Sequence, residues 1–310
     1  MPRFLPEGLL YSTPENKAAI QNPEALREAA LTGRILEARA VLCDSEHNLI
    51  VELGNMRGLI PRVEGAIGIE DGSTREIALI SRVNKPVCFR VLRALSAEAG
   101  KPQFLLSRRS VQEDCMDRYI GGLSPGDIIP ARVTHLEQFG CFVDIGCGIP
   151  SLIPIDTISV SRIAHPANRF AVGDDICAVV RSVEPGRICL SHKELLGTWE
   201  ENAELFRAGE TVAGIVRSTE DYGVFVELTP NLAGLAEPRR GVMVGQSASV
   251  YIKAIIPEKM KIKLIIVDVF SPCEEDRAVR PPLAYFLREG RITNWRYSTE
   301  DSEKIIESVF

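Results

Sequence analysis

The chain repeats part of its own sequence at a period of 83 residues, between positions 126 and 237. The first copy contains Gly126-Asp-Ile-Ile-Pro-Ala-Arg-Val and Phe139-Gly-Cys-Phe-Val-Asp-Ile, and the second contains Gly209-Glu-Thr-Val-Ala-Gly-Ile-Val and Tyr222-Gly-Val-Phe-Val-Glu-Leu. Aromatic, glycine and charged positions recur as well as apolar ones. Because each repeat of a fixed period is one structural unit, the period sets the domain count. The two copies predict tandem small β domains.

A third, weaker copy covers residues 33–109 and precedes the other two. Alternating apolar runs begin at Ile35, Leu49, Val87 and Phe104, a pattern typical of strands with one buried face. Five short strands in each repeat, with a longer polar connection before the fourth, favour a small closed Greek-key barrel, which has no free sheet edge. We therefore predict an all-β chain of three tandem five-stranded oligonucleotide-binding (OB) barrels joined by short helical linkers.

The remaining segments divide into a lead, linkers and a tail. Asn22-Pro23, followed by strong helix formers and Gly33, predicts a helix at the end of a lead over residues 1–32. A capping box at Thr198 predicts a helical linker, and aromatic residues in the tail predict that it docks on a neighbouring domain or on a partner. The expected ranges are barrels at 33–109, 124–194 and 207–268, a polar linker at 110–123, a helical linker at 195–206, and a tail at 269–310 that ends in a helix from about Ser302.

The charge distribution limits the kind of partner. The net charge is −6, but the three repeats carry +3, −2 and +1, so the acidic excess lies in the termini and linkers. This distribution permits local basic stripes and disfavours tight, purely electrostatic binding to DNA. No apolar run approaches the roughly 18 residues of a membrane span, and the N-terminus lacks the features of a secretory signal. We expect a cytoplasmic protein with no membrane partner.

Strand alternation predicts which side chains of the repeats face water. In the run 224–228 the valines form the core face, so Phe225 and Glu227 are predicted to point outward. By the same parity, Phe142 and Asp144 are predicted to point outward in the preceding repeat.

Each outward phenylalanine has a second aromatic residue three positions before it, Phe139 or Tyr222. A regular strand would send residues at this spacing to opposite faces. The glycine after the first aromatic residue predicts a bulge or bend that brings both rings to one surface. Two adjacent outward rings are a platform on which bases of single-stranded nucleic acid stack.

Basic residues are predicted on the same outer side of the repeats. Rings that stack bases beside cations that contact phosphates are the composition of a single-strand groove. The alternative is a solvated barrel face with half-buried rings at a loop junction. Parity on the fourth and fifth strands exposes Arg181, Arg187, Lys253, Lys261 and Lys263.

The repeats resemble the S1 RNA-binding domain, which is an OB barrel. The resemblance is carried by aromatic-Gly-x-Phe-Val, by Gly-Leu at 234–235, by Val-Gly-Gln at 244–246, and by Ile-x-Leu-Ser at 188–191. The stretch 188–202 is similar to the one that follows such domains in clostridial and bacillar relatives of bacterial small-subunit ribosomal protein S1. The resemblance covers residues 33–268 and is specific in the second and third repeats.

The resemblance implies an RNA face made of two aromatic residues, a histidine after the third strand, and an acidic and a basic residue around the turn before the fifth strand. Neither of the last two repeats has the histidine. The first repeat has His47, Ile50 and Gln103 at the aromatic and basic positions, so we expect it to contribute less to RNA contact. By position, the second repeat offers Phe139, Phe142, Pro154, Glu184 and Arg187, and the third offers Tyr222, Phe225, Glu237, Pro257 and Lys261.

The first repeat concentrates basic residues in its second half. Because leading domains of the family anchor to the ribosome, the resemblance implies such a role for this charge; a merely solvated face is the alternative. The residues are Arg82, Lys85, Arg90, Arg93, Lys101, Arg108 and Arg109.

The chain shows no sign of an enzyme. The eight cysteines contain no Cys-x-x-Cys pair, which favours small buried residues over zinc ligands. The four histidines are scattered, and no phosphate-binding glycine loop occurs. His192 is expected to cap or pack against the linker, and His165 either contacts RNA or is exposed. We predict no catalytic residues, no cofactor, no metal and no small-molecule substrate.

The preferred hypothesis is an S1-like translation factor that binds single-stranded RNA, in particular mRNA, on or near the 30S ribosomal subunit. The alternatives are a protein-binding scaffold whose rings are covered by the tail, and an RNA regulator that acts away from the ribosome.

Overall fold

A computed structural model of the chain describes residues 4–98, 101–184, 187–270 and 283–310, without the side chains of 96–98 and 101. The predictions about Cys273, the start of the tail at 271–282 and the Lys101 side chain therefore lie outside the described residues. The chain divides into two compact units, residues 1–123 with 144–150, and residues 124–143 with 151–310. Among the described helices, none is both long enough and apolar enough to cross a membrane.

The first unit begins with two helices, α1 (Pro14–Gln21) and α2 (Pro23–Thr32). The Asn22 side chain caps α2, and Gly33 ends it in a left-handed conformation (φ 65°) that glycine adopts without strain. The helix expected before Gly33 is thus confirmed, whereas α1 was not predicted. The strands that follow are β1 (Leu36–Cys43), β2 (Leu49–Leu53), β3 (Met56–Ile60), β4 (Pro86–Glu98) and β5 (Lys101–Ser107), with α3 (Ile77–Ile80) before β4.

These five strands close into a barrel in the order β1-β2-β3-β5-β4, with β3 and β5 parallel. After the barrel, the chain forms α4 (Arg109–Arg118). The stretch 110–123 was interpreted as a polar linker, but Val111 and Cys115, one helical turn apart, are both buried. A short apolar face thus orders most of this linker as a helix.

Two more barrels of the same topology follow and, apart from residues 144–150, they belong to the second unit. The second has the order β6-β7-β8-β10-β9 and the third β11-β12-β13-β15-β14, and in each the third and fifth strands are parallel. Three closed five-stranded barrels of this topology confirm the prediction of tandem OB barrels. The elements are β6 (Ile128–Glu137), β7 (Gly140–Asp144), β8 (Pro150–Pro154), β9 (Asp175–Glu184), β10 (Arg187–Ser191), α5 (Trp199–Ala203), β11 (Thr211–Glu220), β12 (Gly223–Thr229), β13 (Leu232–Ala236), β14 (Ser247–Ile256) and β15 (Lys261–Phe270).

The C-terminal segment, residues 283–310, docks on the second unit, as its aromatic residues predicted. Trp295 and Tyr297 are buried in the core that also contains Trp199, and the Tyr297 hydroxyl donates a hydrogen bond to the Asn231 carbonyl. The helix predicted from Ser302 is wrong. Strands β16 (Asn294–Arg296) and β17 (Glu307–Val309) pair instead, and the loop between them, residues 297–306, is called here the C-terminal hairpin loop.

The hairpin replaces the helix because its polar groups are satisfied across the loop. The Tyr297 N–H donates to the Ile306 carbonyl at 2.9 Å. The Ser298 hydroxyl accepts from the Ile306 N–H at 2.8 Å and donates to the Lys304 carbonyl at 2.6 Å. These contacts stabilise the hairpin, in which Trp295 and Tyr297 are buried in the core. A helix beginning at Ser302 would not require the burial of these two rings.

The seven described cysteines are free thiols, and Cys88, Cys115, Cys141 and Cys147 are buried. Burial raises the pKa of Cys141 to about 12. Four of the seven described cysteines are thus buried, as expected for small apolar residues, and Cys43, Cys177 and Cys189 are half-buried.

Candidate nucleic-acid interface

In the second barrel, Phe139 and Phe142 form a pair of adjacent rings. Their centroids are 5.9 Å apart and their planes meet at 89°, an edge-to-face contact. Phe139 is 56% exposed and Phe142 is half-buried. The exposed His135 ring lies 6.4 Å from Phe142. We call Phe139 and Phe142 the second-barrel platform.

The third barrel repeats this arrangement with Tyr222 and Phe225, which we call the third-barrel platform. The centroids are 6.2 Å apart and the planes meet at 87°. Tyr222 is 68% exposed, and Phe225 is half-buried. Rings three positions apart thus meet on one surface in both barrels, as the repeated spacing predicted.

The rings meet through a sharp bend, which is one of the two alternatives, a bulge or a bend, that the glycine predicted. In each barrel the first ring occupies the two-residue turn that ends the first strand, and the following glycine, Gly140 or Gly223, begins the second strand. A Cβ on Gly140 would lie 2.5 Å from the Ile153 carbonyl oxygen, and one on Gly223 would lie 2.6 Å from that of Ala236. The glycine is therefore required by close backbone approach and not by a bulge at that position.

The predicted cations are all exposed: Arg181, Arg187, Lys253, Lys261 and Lys263. Within the part of the chain that the structure describes, none of them forms an ion pair. In the third barrel, Phe225 pairs with Leu235 and Leu235 pairs with Lys263 across neighbouring strands. Directly paired residues point to the same face of a sheet. Lys263 is thus two strands, about 10 Å, from the third-barrel platform on the same face.

The remaining family positions are occupied as follows. Where the family has its histidine, the second barrel has the half-buried Pro154 and the third barrel has the exposed Glu237. At the turns before the fifth strands, Glu184 and Pro257 are exposed. In the first barrel, His47 is half-buried in a left-handed turn conformation (φ 63°). Ile50 and Gln103 are also half-buried. This barrel has no ring at the position of Phe142 and no cation at that of Arg187.

Most of the basic cluster in the first barrel is neutralised inside its own unit. Arg108 is buried and bonds Glu7 at 2.6 Å, Arg90 contacts Asp114 at 2.6 Å, and Arg109 contacts Glu64 at 2.7 Å. Arg82 also contacts Glu7, at 3.3 Å. These four residues are neither a free basic patch nor a solvated face. Lys85 and Arg93 are exposed.

Two acidic residues predicted to face water are buried. Asp144 is 4% exposed, and its carboxylate accepts hydrogen bonds from the N–H groups of Glu7, Gly146 and Gly148. Burial, reinforced by the charge of Glu7, raises the pKa of Asp144 to about 7. Glu227, at the equivalent position of the third barrel, is 2% exposed.

Glu227 is covered by a buried arginine from the second barrel. The Arg169 side chain is fully buried in the connection between β8 and β9, and its Nη1 donates to Glu227 Oε1 at 3.0 Å. Arg217 donates to both Glu227 oxygens at 3.0 and 2.9 Å. Strand parity correctly excluded Glu227 from the barrel interior, but the outer face there is covered by the second-barrel insertion, residues 155–174. The sequence held no signal for this contact, since Arg169 is one of several basic residues in loops.

His192, which precedes the helical linker, and His165, in the second-barrel insertion, have structural roles. The His192 ring is fully buried, with Nδ1 2.8 Å from the Ile158 carbonyl and Nε2 3.0 Å from the Tyr285 hydroxyl. It packs edge-to-face on Phe170 and Tyr285, which confirms the expected packing role. His165 caps the short helical turn at 166–168 through its side chain.

Acidification is expected to weaken the docking of the C-terminal segment through His192. Burial, with the charge of Arg169, lowers the pKa of His192 from 6.5 to about 4. Because the folded protein holds the neutral ring, its contribution to stability is complete above pH 6.5 and falls by about 3 kcal/mol as the pH decreases toward 4. Urea titrations across this pH range, followed by tryptophan fluorescence, measure the effect.

The control for this prediction is the exposed His135. His135→Gln should keep the acid sensitivity of the original protein, whereas His192→Phe should lose the part that arises between pH 6.5 and 4. The same pH dependence in both variants would rule out His192 as the cause.

The sequence of the chain is similar to those of known proteins in the region of the barrels. Residues 123–193, which contain the second barrel, match the S1 RNA binding domain family. The chain is 29% identical over 237 residues to small ribosomal subunit protein bS1 of Leuconostoc lactis, covering 73% of this chain and 51% of that protein. It is 28% identical over 186 residues to bS1 of Streptococcus pneumoniae, covering 54% and 46%.

Among solved structures, the chain is 15% identical to a multidomain protein with nucleic acid binding domains from Streptococcus pneumoniae, over 78% of this chain and 76% of that one, with a TM-score of 0.26. This chain spans about half the length of the curated relatives that it matches. The resemblance expected from the repeats is confirmed: the second barrel matches the S1 RNA binding domain, and most of the chain is similar to small ribosomal subunit protein bS1.

Proposed function

We propose that the protein binds single-stranded RNA, in particular mRNA, by stacking bases on the platforms of the second and third barrels while flanking arginines and lysines contact phosphates. The observation that carries the proposal is the pair of adjacent rings, one exposed and one half-buried, at equivalent positions of both barrels. Exposed rings such as Phe139 and Tyr222 add little to a barrel core, and base stacking on a ring is worth about 1–3 kcal/mol per base.

The five exposed cations support the same proposal. Arg181, Arg187, Lys253, Lys261 and Lys263 are available to a phosphate backbone because no described acidic side chain pairs with them. The match of the second barrel to an RNA-binding family agrees with this chemistry. By the similarity to bS1, we propose the 30S ribosomal subunit as the place of action.

A salt titration tests the proposal. Labelled single-stranded RNA is titrated with the full chain at several salt concentrations, and the logarithm of affinity is plotted against that of salt concentration. Each phosphate contacted should contribute about −0.7 to the slope. A slope near zero would contradict the phosphate contacts. No measurable affinity at low salt would contradict RNA binding and favour a protein-binding role.

The first barrel is expected to contribute less than the second. Replacing His47 and Ile50 by alanine should weaken RNA binding less than about threefold, whereas replacing Phe139 and Phe142 should weaken it about tenfold or more, since only the latter pair offers a stacking surface. Both double variants are compared in the same titration. Equal losses would show that the first barrel binds RNA as strongly as the second.

A further inference from the structure

The third-barrel platform lies in a groove that has three walls and a volume of about 1180 Å³. Tyr222, Phe225 and the turn before β15 form the first wall. The second-barrel insertion contributes Val160 to Arg162, and the C-terminal hairpin loop contributes Tyr297 and residues 301–304. The volume exceeds the range of about 300–1,000 Å³ that is usual for small-molecule pockets. A polymer segment therefore fits this groove better than a single small ligand does.

The two added walls are held firmly against the third barrel. On the insertion, the Val160 N–H donates to the Asn231 side-chain oxygen at 2.9 Å, and Arg169 pairs with Glu227 on β12. On the C-terminal hairpin loop, the Thr299 hydroxyl donates to the Pro257 carbonyl at 3.2 Å, next to the turn that carries Lys259. The loop is thus part of the groove and not a tail that merely passes near it.

The charges that line the groove nearly cancel. Arg217 shares the carboxylate of Glu227 with the buried Arg169, so these three side chains together keep one positive charge. Four other cations line the groove: Arg162, Lys259, Lys261 and, on the C-terminal hairpin loop, Lys304. Four acids also line it: Glu220, Glu258, Asp301 and Glu303. Among the described side chains, Asp301 and Glu303 form no ion pair and both are exposed. The other two walls therefore carry an excess of two positive charges, and the C-terminal hairpin loop, with two acids and Lys304, halves this excess.

We propose that the C-terminal hairpin loop is a wall of the third barrel's RNA site, and that Asp301 and Glu303 keep this groove close to neutral, so that it takes unpaired bases and disfavours phosphate-dense duplex RNA. The inference rests on the proposed function of the third-barrel platform. Bases bring ring surface and little charge, so stacking on the rings does not need a strongly positive groove, whereas the two phosphate backbones of a duplex gain little from a nearly neutral one. Like-charge contacts across an interface suppress the wrong partner in this way.

The test removes the two carboxylates from the full chain. The double variant Asp301→Asn with Glu303→Gln should bind single-stranded RNA about three- to tenfold more tightly at low salt, and the gain should shrink as salt screens the charges. Duplex RNA should gain more than single-stranded RNA does. No side-chain contact is lost, because neither residue is bonded to another described side chain.

The matched control is Glu204→Gln with Glu289→Gln. Both residues are exposed acids of the same unit, they lie outside the groove, and their replacement changes the net charge by the same amount. This variant should bind within about twofold of the original protein. An equal gain in both variants, or no gain in the groove variant, would overturn the inference, because the effect would then depend on net charge alone or be absent.

Failure of this inference can be told apart from failure of the proposed function. Both acid variants are also made in a protein that carries Tyr222→Ala and Phe225→Ala. In that protein, replacing Asp301 and Glu303 should no longer increase the affinity for RNA. If the ring substitutions alone leave affinity unchanged, the third barrel's proposed RNA site is wrong. If the rings matter but neutralising the loop acids does not change affinity or duplex rejection, only the role of the loop is wrong.

Discussion

Replacing all four platform rings, Phe139, Phe142, Tyr222 and Phe225, by alanine is expected to reduce the affinity for single-stranded RNA by on the order of a hundredfold or more. Each stacked base contributes about 1–3 kcal/mol, and about 1.4 kcal/mol corresponds to a tenfold change in affinity. The rings are exposed or half-buried, so the barrels should stay folded. Fluorescence anisotropy of a labelled oligonucleotide at fixed salt measures the loss.

The control for the ring variant removes exposed apolar surface elsewhere on the same barrels. Val172 is 63% exposed in the second barrel and Met243 is 60% exposed in the third. Their double replacement by alanine should leave affinity within about twofold, because neither side chain belongs to a platform. If the ring variant also stays within twofold while its circular dichroism is unchanged, stacking on these platforms does not hold the RNA.

The second large effect is on stability, at the buried Glu227. The substitution Glu227→Gln leaves the charge of Arg169, which is fully buried, without its counterion and is expected to lower the free energy of unfolding by about 3–5 kcal/mol. Both tryptophans of the chain, Trp199 and Trp295, lie in the second unit. Urea unfolding followed by tryptophan fluorescence therefore reports on the unit that contains the substitution.

Glu52 gives a matched control for Glu227 because it occupies the equivalent strand position in the first barrel and is exposed there. Glu52→Gln should change stability by less than about 0.5 kcal/mol. Far-ultraviolet circular dichroism follows the first unit, which contains no tryptophan. A loss for Glu227→Gln no larger than that for Glu52→Gln would show that the Arg169 contact does not stabilise the second unit.

Local sequence signals predicted the barrels well. Val224 and Val226 face the core, as strand parity required, and Asn22 and Gly33 cap α2 as their residue types suggested. The repeat period and the alternating apolar runs of residues 33–109 predicted three barrels, and the structure has three of one topology. These features depend on residues close together in the chain, for which periodicity and capping chemistry are direct guides.

Contacts between distant segments were not predictable in the same way. Glu227 and Asp144 were expected to face water, but each is covered by a segment far away in sequence, Arg169 in one case and the Glu7 backbone in the other. In the first barrel, Arg108 appeared to belong to a basic face and instead pairs with Glu7. Charge patterns alone do not distinguish a solvated ion from one that is paired across the fold.

The candidate site was predicted in part. Repeated spacing located both ring pairs, and strand parity located the five exposed cations. Of the predicted bulge or bend, the structure has the bend, a tight turn followed by a close backbone approach at Gly140 and Gly223. The wall formed by the C-terminal hairpin loop was missed. The sequence from Ser302 predicts a helix, whereas the burial of Trp295 and Tyr297 and the hydrogen bonds across the loop stabilise a hairpin there.

The most direct test of the central claim observes the rings themselves while RNA binds. Ring protons of Tyr222 and Phe225, assigned by nuclear magnetic resonance with the alanine variants, are followed during titration with an unpaired oligonucleotide. Stacking of bases on the third-barrel platform predicts upfield shifts of these protons in proportion to the fraction bound. Binding that saturates while these resonances, and those of Phe139 and Phe142, stay in place would contradict the account.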